Sequence, residues 1–270
     1  MIQPNYLKEG NTVAIVSTAR KILKKELIPA ITILKNWGLK IVLGKSIEAE
    51  EHQFAGNDKL RTSDFQAILD HPEIDAVWCA RGGYGTVRII DQLDFSNFKK
   101  HPKWIIGFSD VTVLHSHIHQ LGIETLHAQM PVSIETKSKA TINSIKAILF
   151  GEHYGIRIPA ENNNINGKTS GQLIGGNLSI LYSLCGSPSA LNTKGKILFI
   201  EDLDEYLYFH NKTILNKISS NDNIDQIEFR NCWCKRMDDT IPECFPLKFY
   251  IEDNAKLDIG RRKSLYKVSN

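Results

Sequence analysis

Lys103-Trp-Ile-Ile-Gly-Phe-Ser-Asp-Val-Thr112 decides the fold, because it runs an apolar segment straight into a serine that opens a helix. Trp104, Ile105 and Ile106 read as a short interior strand, Gly107 permits a tight turn, and Asp110 to Leu121 reads as a helix. Ser109 is left on the turn between them. A side chain there stands clear of the backbone, and the free N–H groups of the helix start can stabilise a developing oxyanion. That geometry suits acyl transfer with Ser109 as nucleophile. An N-cap role for Ser109 uses the same residues without any chemistry.

Outward from this stretch, strands and helices alternate. Thr12 to Ser17 reads as a strand, Lys25 to Trp37 as a helix with Leu27, Ile31 and Leu34 on one face, and Leu39 to Leu43 as a second strand. Asp58 to Leu69 reads as a helix, Ala76 to Ala80 as a strand and Thr86 to Leu93 as a helix before the strand at Trp104. Such βαβ alternation predicts an α/β fold with a parallel N-terminal sheet flanked by helices. The polar, turn-forming run between Pro159 and Gly171 lacks periodicity, so it reads as a linker over 161–170. It separates an N-terminal domain, 1–160, from a smaller mixed α/β C-terminal domain, 171–270. In the latter, Gly175-Gly176-Asn177 leads into an apolar helix from Leu178 to Leu184, and Lys196 to Ile200 is an interior strand ending at Glu201.

Composition narrows the class. The 270 residues are 42% hydrophobic and 23% charged, enough for a sizeable core in an ordinary soluble protein. A net charge of +3 from 33 basic and 30 acidic residues, evenly spread, argues against nucleic acid or an anionic membrane as partner. The N-terminus lacks the basic start and apolar core of a secretion signal, and there is no 18-residue apolar run, so the cytoplasm is the expected location. Five cysteines fit a reducing compartment. Cys79 and Cys185 lie in apolar runs typical of buried thiols. The spacing of Cys232-Trp-Cys234 is wrong for a zinc knuckle.

Several groups of residues are candidates for chemistry. Arg81-Gly-Gly-Tyr-Gly85 follows a strand, and its three glycines let a backbone pass close to a ligand with N–H groups exposed. It matches neither the dinucleotide fingerprint nor the phosphate loop, and a tight structural turn would use the same residues. Ligands of open α/β sheets gather at the carboxyl ends of strands, where this loop and Ser109 both fall. Glu201 also leaves a strand end, followed by Asp202, Asp204 and Glu205. This is either a solvated acidic loop or a carboxylate placed to orient a histidine. His115 and His119 share a helix face as two metal ligands would, but Ser116 stands where a zinc protease needs a glutamate. Surface or interface histidines are the plainer reading. The stripe Leu178, Leu181, Tyr182 and Leu184 reads as core packing.

In order and spacing, Arg81-Gly-Gly-Tyr-Gly85, Gly107-Phe-Ser-Asp110 with Thr112, Gly175-Gly-Asn-Leu178 and Phe199-Ile-Glu-Asp202 resemble the motifs of the LD-carboxypeptidases. These are serine peptidases that include murein tetrapeptide carboxypeptidases and microcin-immunity hydrolases, and the resemblance covers residues 1 to about 215. It implies a Ser-His-Glu triad, with Ser109 as nucleophile and Glu201 orienting the histidine, at a site between the two domains. The Asp110 N–H and one from the loop of Arg81, Gly82, Gly83 and Tyr84 would form the oxyanion hole, with Asn177 in the substrate-binding set. The implied reaction removes a terminal D-amino acid, typically D-alanine, from L,D-linked muropeptides in peptidoglycan recycling. No metal or cofactor is implied. Family members often form homodimers.

The chain departs from the family near its C-terminus, where the pattern Phe-Pro-x-Gly-His carries the catalytic histidine. No histidine follows His210, and in the similar run Phe245-Pro-Leu-Lys-Phe-Tyr250 the expected Gly-His positions hold Phe249 and Tyr250. Asp238-Asp-Thr-Ile-Pro242 resembles the preceding family loop, but a helix and strand that normally follow are missing, and Arg230 to Arg236 replaces an apolar strand. The simplest reading is a frame-disrupted, internally deleted or diverged C-terminal domain. Neither a phenol nor a phenyl ring does the work of an imidazole at neutral pH. His127 and His210 are the substitutes to weigh, and an inactive homologue that binds peptidoglycan fragments is the alternative function. A metal-dependent hydrolase using His115 and His119 is a third reading.

Overall fold

The computed structural model describes residues 1–156 and 170–202, with the strands Lys256–Asp258 and Tyr266–Ser269. Five short strands, β1 (Thr12–Val16), β2 (Lys40–Leu43), β3 (Ala76–Cys79), β4 (Trp104–Gly107) and β5 (Leu126–His127), pair in parallel in the order β2-β1-β3-β4-β5. Their side chains alternate between two cores. Ala14, Val16, Val77, Cys79 and Ile105 pack on one face with residues of α2 (Asp58–Asp70), α3 (Ser96–Lys100) and α4 (Thr112–Gln120). Val13, Ile15, Trp78, Trp104 and Ile106 pack on the other with α1 (Ile28–Asn36) and α5 (Lys139–Leu149). Strands buried on both faces explain why the sequence shows continuous apolar runs here. The α/β reading of the N-terminal part therefore holds.

Three elements differ from expectation. Thr86 to Leu93 is two short 3-10 turns, Thr86–Arg88 and Ile90–Gln92, separated at Ile89, whose φ of −113° interrupts the helix; the Thr86 N–H is given to the Asp110 carboxylate, and the Gly85 carbonyl accepts from buried Arg61. The helix expected from Lys25 splits at Pro29, which starts α1 after a 3-10 turn over Lys24–Leu27. The helices α3 and α5 and the two-residue β5 were not foreseen.

Beyond α5, β8 (Leu173–Asn177) and β9 (Ile197–Glu201) form a smaller two-stranded parallel sheet around α6 (Leu178–Ser183). Four further strands, β6 (Gly155–Ile156), β7 (Ser170–Gly171), β10 (Lys256–Asp258) and β11 (Tyr266–Ser269), pair antiparallel in the order β6-β10-β11-β7. Ser170, expected to end the linker, lies in β7, and 161–169 fall outside the described residues. Leu178, Leu181 and Leu184 are buried as expected, whereas Tyr182 is exposed because it sits on the outer face of α6. Cys185 is also exposed, on the turn just past α6, while Cys79 is buried in β3. No helix among the described residues is long and apolar enough to cross a membrane.

Candidate active site

Ser109 occupies the left-handed region at φ 60°. For a residue with a Cβ this conformation costs about 1–3 kcal/mol and persists only where its surroundings fix it. Here they do. On one side, the Gly107 carbonyl accepts from the Ala128 N–H at 3.0 Å and faces His115 Nε2 at 2.9 Å. On the other, Asp110 is fully buried and its Oδ2 accepts the Thr86 N–H at 2.9 Å. Burial pushes the Asp110 carboxyl above the ordinary carboxylate range, against the pull of the Thr86 hydrogen bonds. The side chain of Ser109 makes no capping bond, and α4 begins three residues later with Val111 at its N-cap. The N-cap role is thus corrected: Ser109 is the strained residue of a sharp strand-to-helix turn.

The Arg81 to Gly85 loop lies directly against this turn. A methyl group on Gly82 would sit 3.3 Å from Cβ and 3.4 Å from Oγ of Ser109, so an alanine there would press on the serine by a few tenths of an ångström. Neither Gly82 nor Gly83 gives its N–H to a partner among the described residues. They leave donors on the loop that packs against Ser109, the kind of group an oxyanion hole uses. Arg81 reaches back to the Lys21 carbonyl at 3.4 Å, and Tyr84 is exposed at the rim with its ring 6.3 Å from Phe54. Gly82→Ala is expected to lower turnover by roughly 10- to 100-fold through crowding of Ser109, with the melting temperature nearly unchanged. Steady-state kinetics beside a thermal melt checks this.

Arg61 was not singled out in the sequence, yet it organises the loop from beneath. It is fully buried, donates Nη1 to the carbonyls of Thr18 (2.6 Å) and Gly85 (3.0 Å), and pairs through Nη2 with Asp58. The available signal was its position on the apolar face of α2, with Phe65, Ile68 and Leu69.

Glu201 ends β9, and its Oε1 lies 4.0 Å from Nε2 of His127, at the end of β5. Its neighbour Asp202 has a different task. Asp202 accepts from Asn177 Nδ2 at 2.9 Å and from the N–H and hydroxyl of Ser179 at 3.0 and 2.7 Å, clamping the start of α6. Asn177 Oδ1 in turn accepts the Ile180 N–H, and the Asn177 N–H reaches Thr112 Oγ1 at 3.0 Å. Both ends of the Asn177 carboxamide are therefore engaged in joining α6 to β9, and its backbone ties this unit to α4. The acidic run divides into a carboxylate beside an imidazole and a helix clamp. Asp204, Glu205, His210, Phe249 and Tyr250 lie outside the described residues.

The histidine cluster is accounted for by hydrogen bonding. His115 is buried, with Nε2 on the Gly107 carbonyl and Nδ1 2.8 Å from Thr125 Oγ1. It is neither a surface residue nor a metal ligand, since both ring nitrogens are occupied. His119 Nε2 faces Lys196 Nζ at 3.0 Å, and His117 Nδ1 faces Ser189 Oγ at 2.9 Å. Burial pushes the His115 pKa down to about 4 and that of His127 to about 3, from an ordinary 6.5. Below pH 6.5 the unfolded chain therefore takes up protons that these folded imidazoles refuse. Their contribution to stability is complete above that pH and falls as pH drops toward 4, by up to about 1.4 kcal/mol per pH unit for each histidine. Asp110, pushed up by burial, works in the opposite sense. Denaturant unfolding should give a stability roughly 2–4 kcal/mol lower at pH 5 than at pH 7; equal values would refute the neutral, buried histidines.

A parallel α/β sheet with a strained serine between β4 and its helix, beside a glycine loop, is an architecture suited to hydrolysis, and a carboxylate at the end of β9 lies against His127 at the end of β5. Comparison with known proteins agrees. Residues 13–128 match the LD-carboxypeptidase N-terminal domain and residues 170–228 the LD-carboxypeptidase C-terminal domain. The chain is 38% identical over 213 residues to the Bacillus subtilis protein named "Probable murein peptide carboxypeptidase", covering 76% of this chain and 66% of that one. It is 30% identical over 222 residues to the murein tetrapeptide carboxypeptidase of Pseudomonas aeruginosa, covering 78% and 72%. Among solved structures, the muramoyltetrapeptide carboxypeptidase of Oxalobacter formigenes superposes with a TM-score of 0.71 at 27% identity, over 78% of this chain and 72% of that one. The chain belongs to the LD-carboxypeptidase family. It spans about two thirds of the length of these curated relatives.

Proposed function

We propose that this protein is a serine LD-carboxypeptidase that removes a C-terminal D-amino acid from L,D-linked muropeptides in the cytoplasm. The observation that carries the reading is Ser109, held at φ 60° with the glycine loop against its hydroxyl. The N-terminal domain supplies Ser109 and the oxyanion donors of Asp110 and the Gly82–Gly83 segment, and the C-terminal domain supplies Glu201. Ser109 Oγ attacks the carbonyl carbon of the L,D amide while a base takes its proton. Collapse of the tetrahedral intermediate expels the D-amino acid, whose nitrogen takes that proton, and water then hydrolyses the acyl ester. Arg81 and Tyr84 line the approach from the loop.

The base is the point of tension. Among the described residues the imidazole nearest Glu201 is His127, and burial leaves it too weak a base to activate a hydroxyl. The family pattern would place the base where Phe249 and Tyr250 stand. This absence favours a second reading, an inactive homologue that binds peptidoglycan fragments in the same cleft. Release of D-alanine from an L,D-linked tetrapeptide, by the full chain and by Tyr250→His, separates them. Release by the unaltered chain supports the hydrolase. Release only after the substitution means that the base alone is lost. Calorimetric binding with no release from either supports the binding homologue.

A further inference from the structure

His127 lies where the two units meet. It pairs in register with Gly107, two residues before Ser109, and its Nε2 points across to Oε1 of Glu201 at 4.0 Å, with the two side chains only 12% and 15% exposed. Aromatic neighbours fix the ring, with Phe199 at 5.1 Å, Phe108 at 6.2 Å and His115 at 5.8 Å between centroids. Its Nδ1 is buried with no hydrogen-bond partner among the described residues, so none of them turns the ring away from the carboxylate. Among the described residues the titratable groups that face it are His115 from α4 and Glu201 from β9. His115 cannot take its place, because both of its nitrogens are held by Gly107 and Thr125.

We propose that His127 is a positioning residue for Glu201, a neutral imidazole that presents its Nε2–H to the carboxylate and keeps it aimed at the Ser109 cleft. The proposal rests on the reading of Glu201 as the orienting carboxylate. The separation exceeds a direct N–H···O bond by about an ångström, so in this structure the pair is a dipole-to-charge contact within reach of a small side-chain shift. Burial and the neighbouring His115 hold the ring neutral, which leaves it one N–H to give to the carboxylate and too little basicity to take a proton from a hydroxyl. A ring serving only as apolar filling would be replaced by phenylalanine without consequence for Glu201.

Carbon-13 NMR of the Glu201 carboxyl in the full chain, assigned with Glu201→Gln, tests this without requiring turnover. Loss of the donor in His127→Phe should raise the Glu201 titration midpoint by about one pH unit, and His127→Gln, which retains an N–H donor, should restore at least half of the shift. An unchanged midpoint in His127→Phe, or the same shift in both variants, overturns the proposal. Should His127→Phe fail to fold, nitrogen-15 spectra of the unaltered chain decide: the proton must reside on Nε2, and an Nδ1-protonated ring refutes the role. Failure to release D-alanine would count against the hydrolase reading alone and leave this measurement standing.

Discussion

Gly175→Ala should unfold the C-terminal unit. Gly175 pairs with Phe199 across β8 and β9 at φ 136°, and a methyl group there would lie 1.7 Å from the Phe199 carbonyl oxygen. The clash is with the backbone of the partner strand, which cannot yield as a flexible side chain would. Strain at a special φ added to a backbone collision belongs to the severe class of substitutions, on the order of 3 kcal/mol or more. Since β9 ends in Glu201, displacing the strand also removes the carboxylate from the cleft. Thermal melting should drop by about 10 °C, taking roughly 2–4 °C per kcal/mol for a chain of this size, and hydrolysis should fall with it. A variant that melts with the parent would refute the pairing of β8 with β9 in this register.

Ser109→Ala should abolish turnover while leaving the fold intact. The alanine removes the only hydroxyl on the turn, and transition-state stabilisation by the oxyanion donors cannot substitute for a missing nucleophile. Losses of roughly 10⁴-fold or more are usual when the serine of such a triad is removed. Stability should change little, because Ser109 Oγ makes no hydrogen bond among the described residues and alanine meets the same φ that serine does. The pairing of lost catalysis with an unchanged melt distinguishes a nucleophile from a structural serine.

Much of this was legible in the sequence, for physical reasons that can be traced residue by residue. Apolar runs such as Ile105-Ile106 and Val77-Trp78 announce strands buried on both faces, and Gly107 before Ser109 announces the sharp turn. Glu201 at a strand end was readable for the same reason. The helix expected over Thr86 to Leu93 is broken at Ile89, and the Thr86 N–H is taken by Asp110, a partner 24 residues away that no local pattern reveals. Two-residue β5 is too short for any periodicity, so the sequence offers His127 as one of two substitute histidines without fixing its approach to Glu201. His115 looked like a surface or interface residue because a helix with polar residues all along it hides which one points inward. That Asn177 and Asp202 also clamp the start of α6 is visible only in the bonding pattern, since no local signal pairs residues 25 positions apart.

The most direct test is release of D-alanine from an L,D-linked muropeptide tetrapeptide by the full chain and by Ser109→Ala, side by side, with both proteins shown to melt together. The expected result is release by the parent and none above background from the variant. Equal release from both would contradict the assignment of Ser109 as the nucleophile.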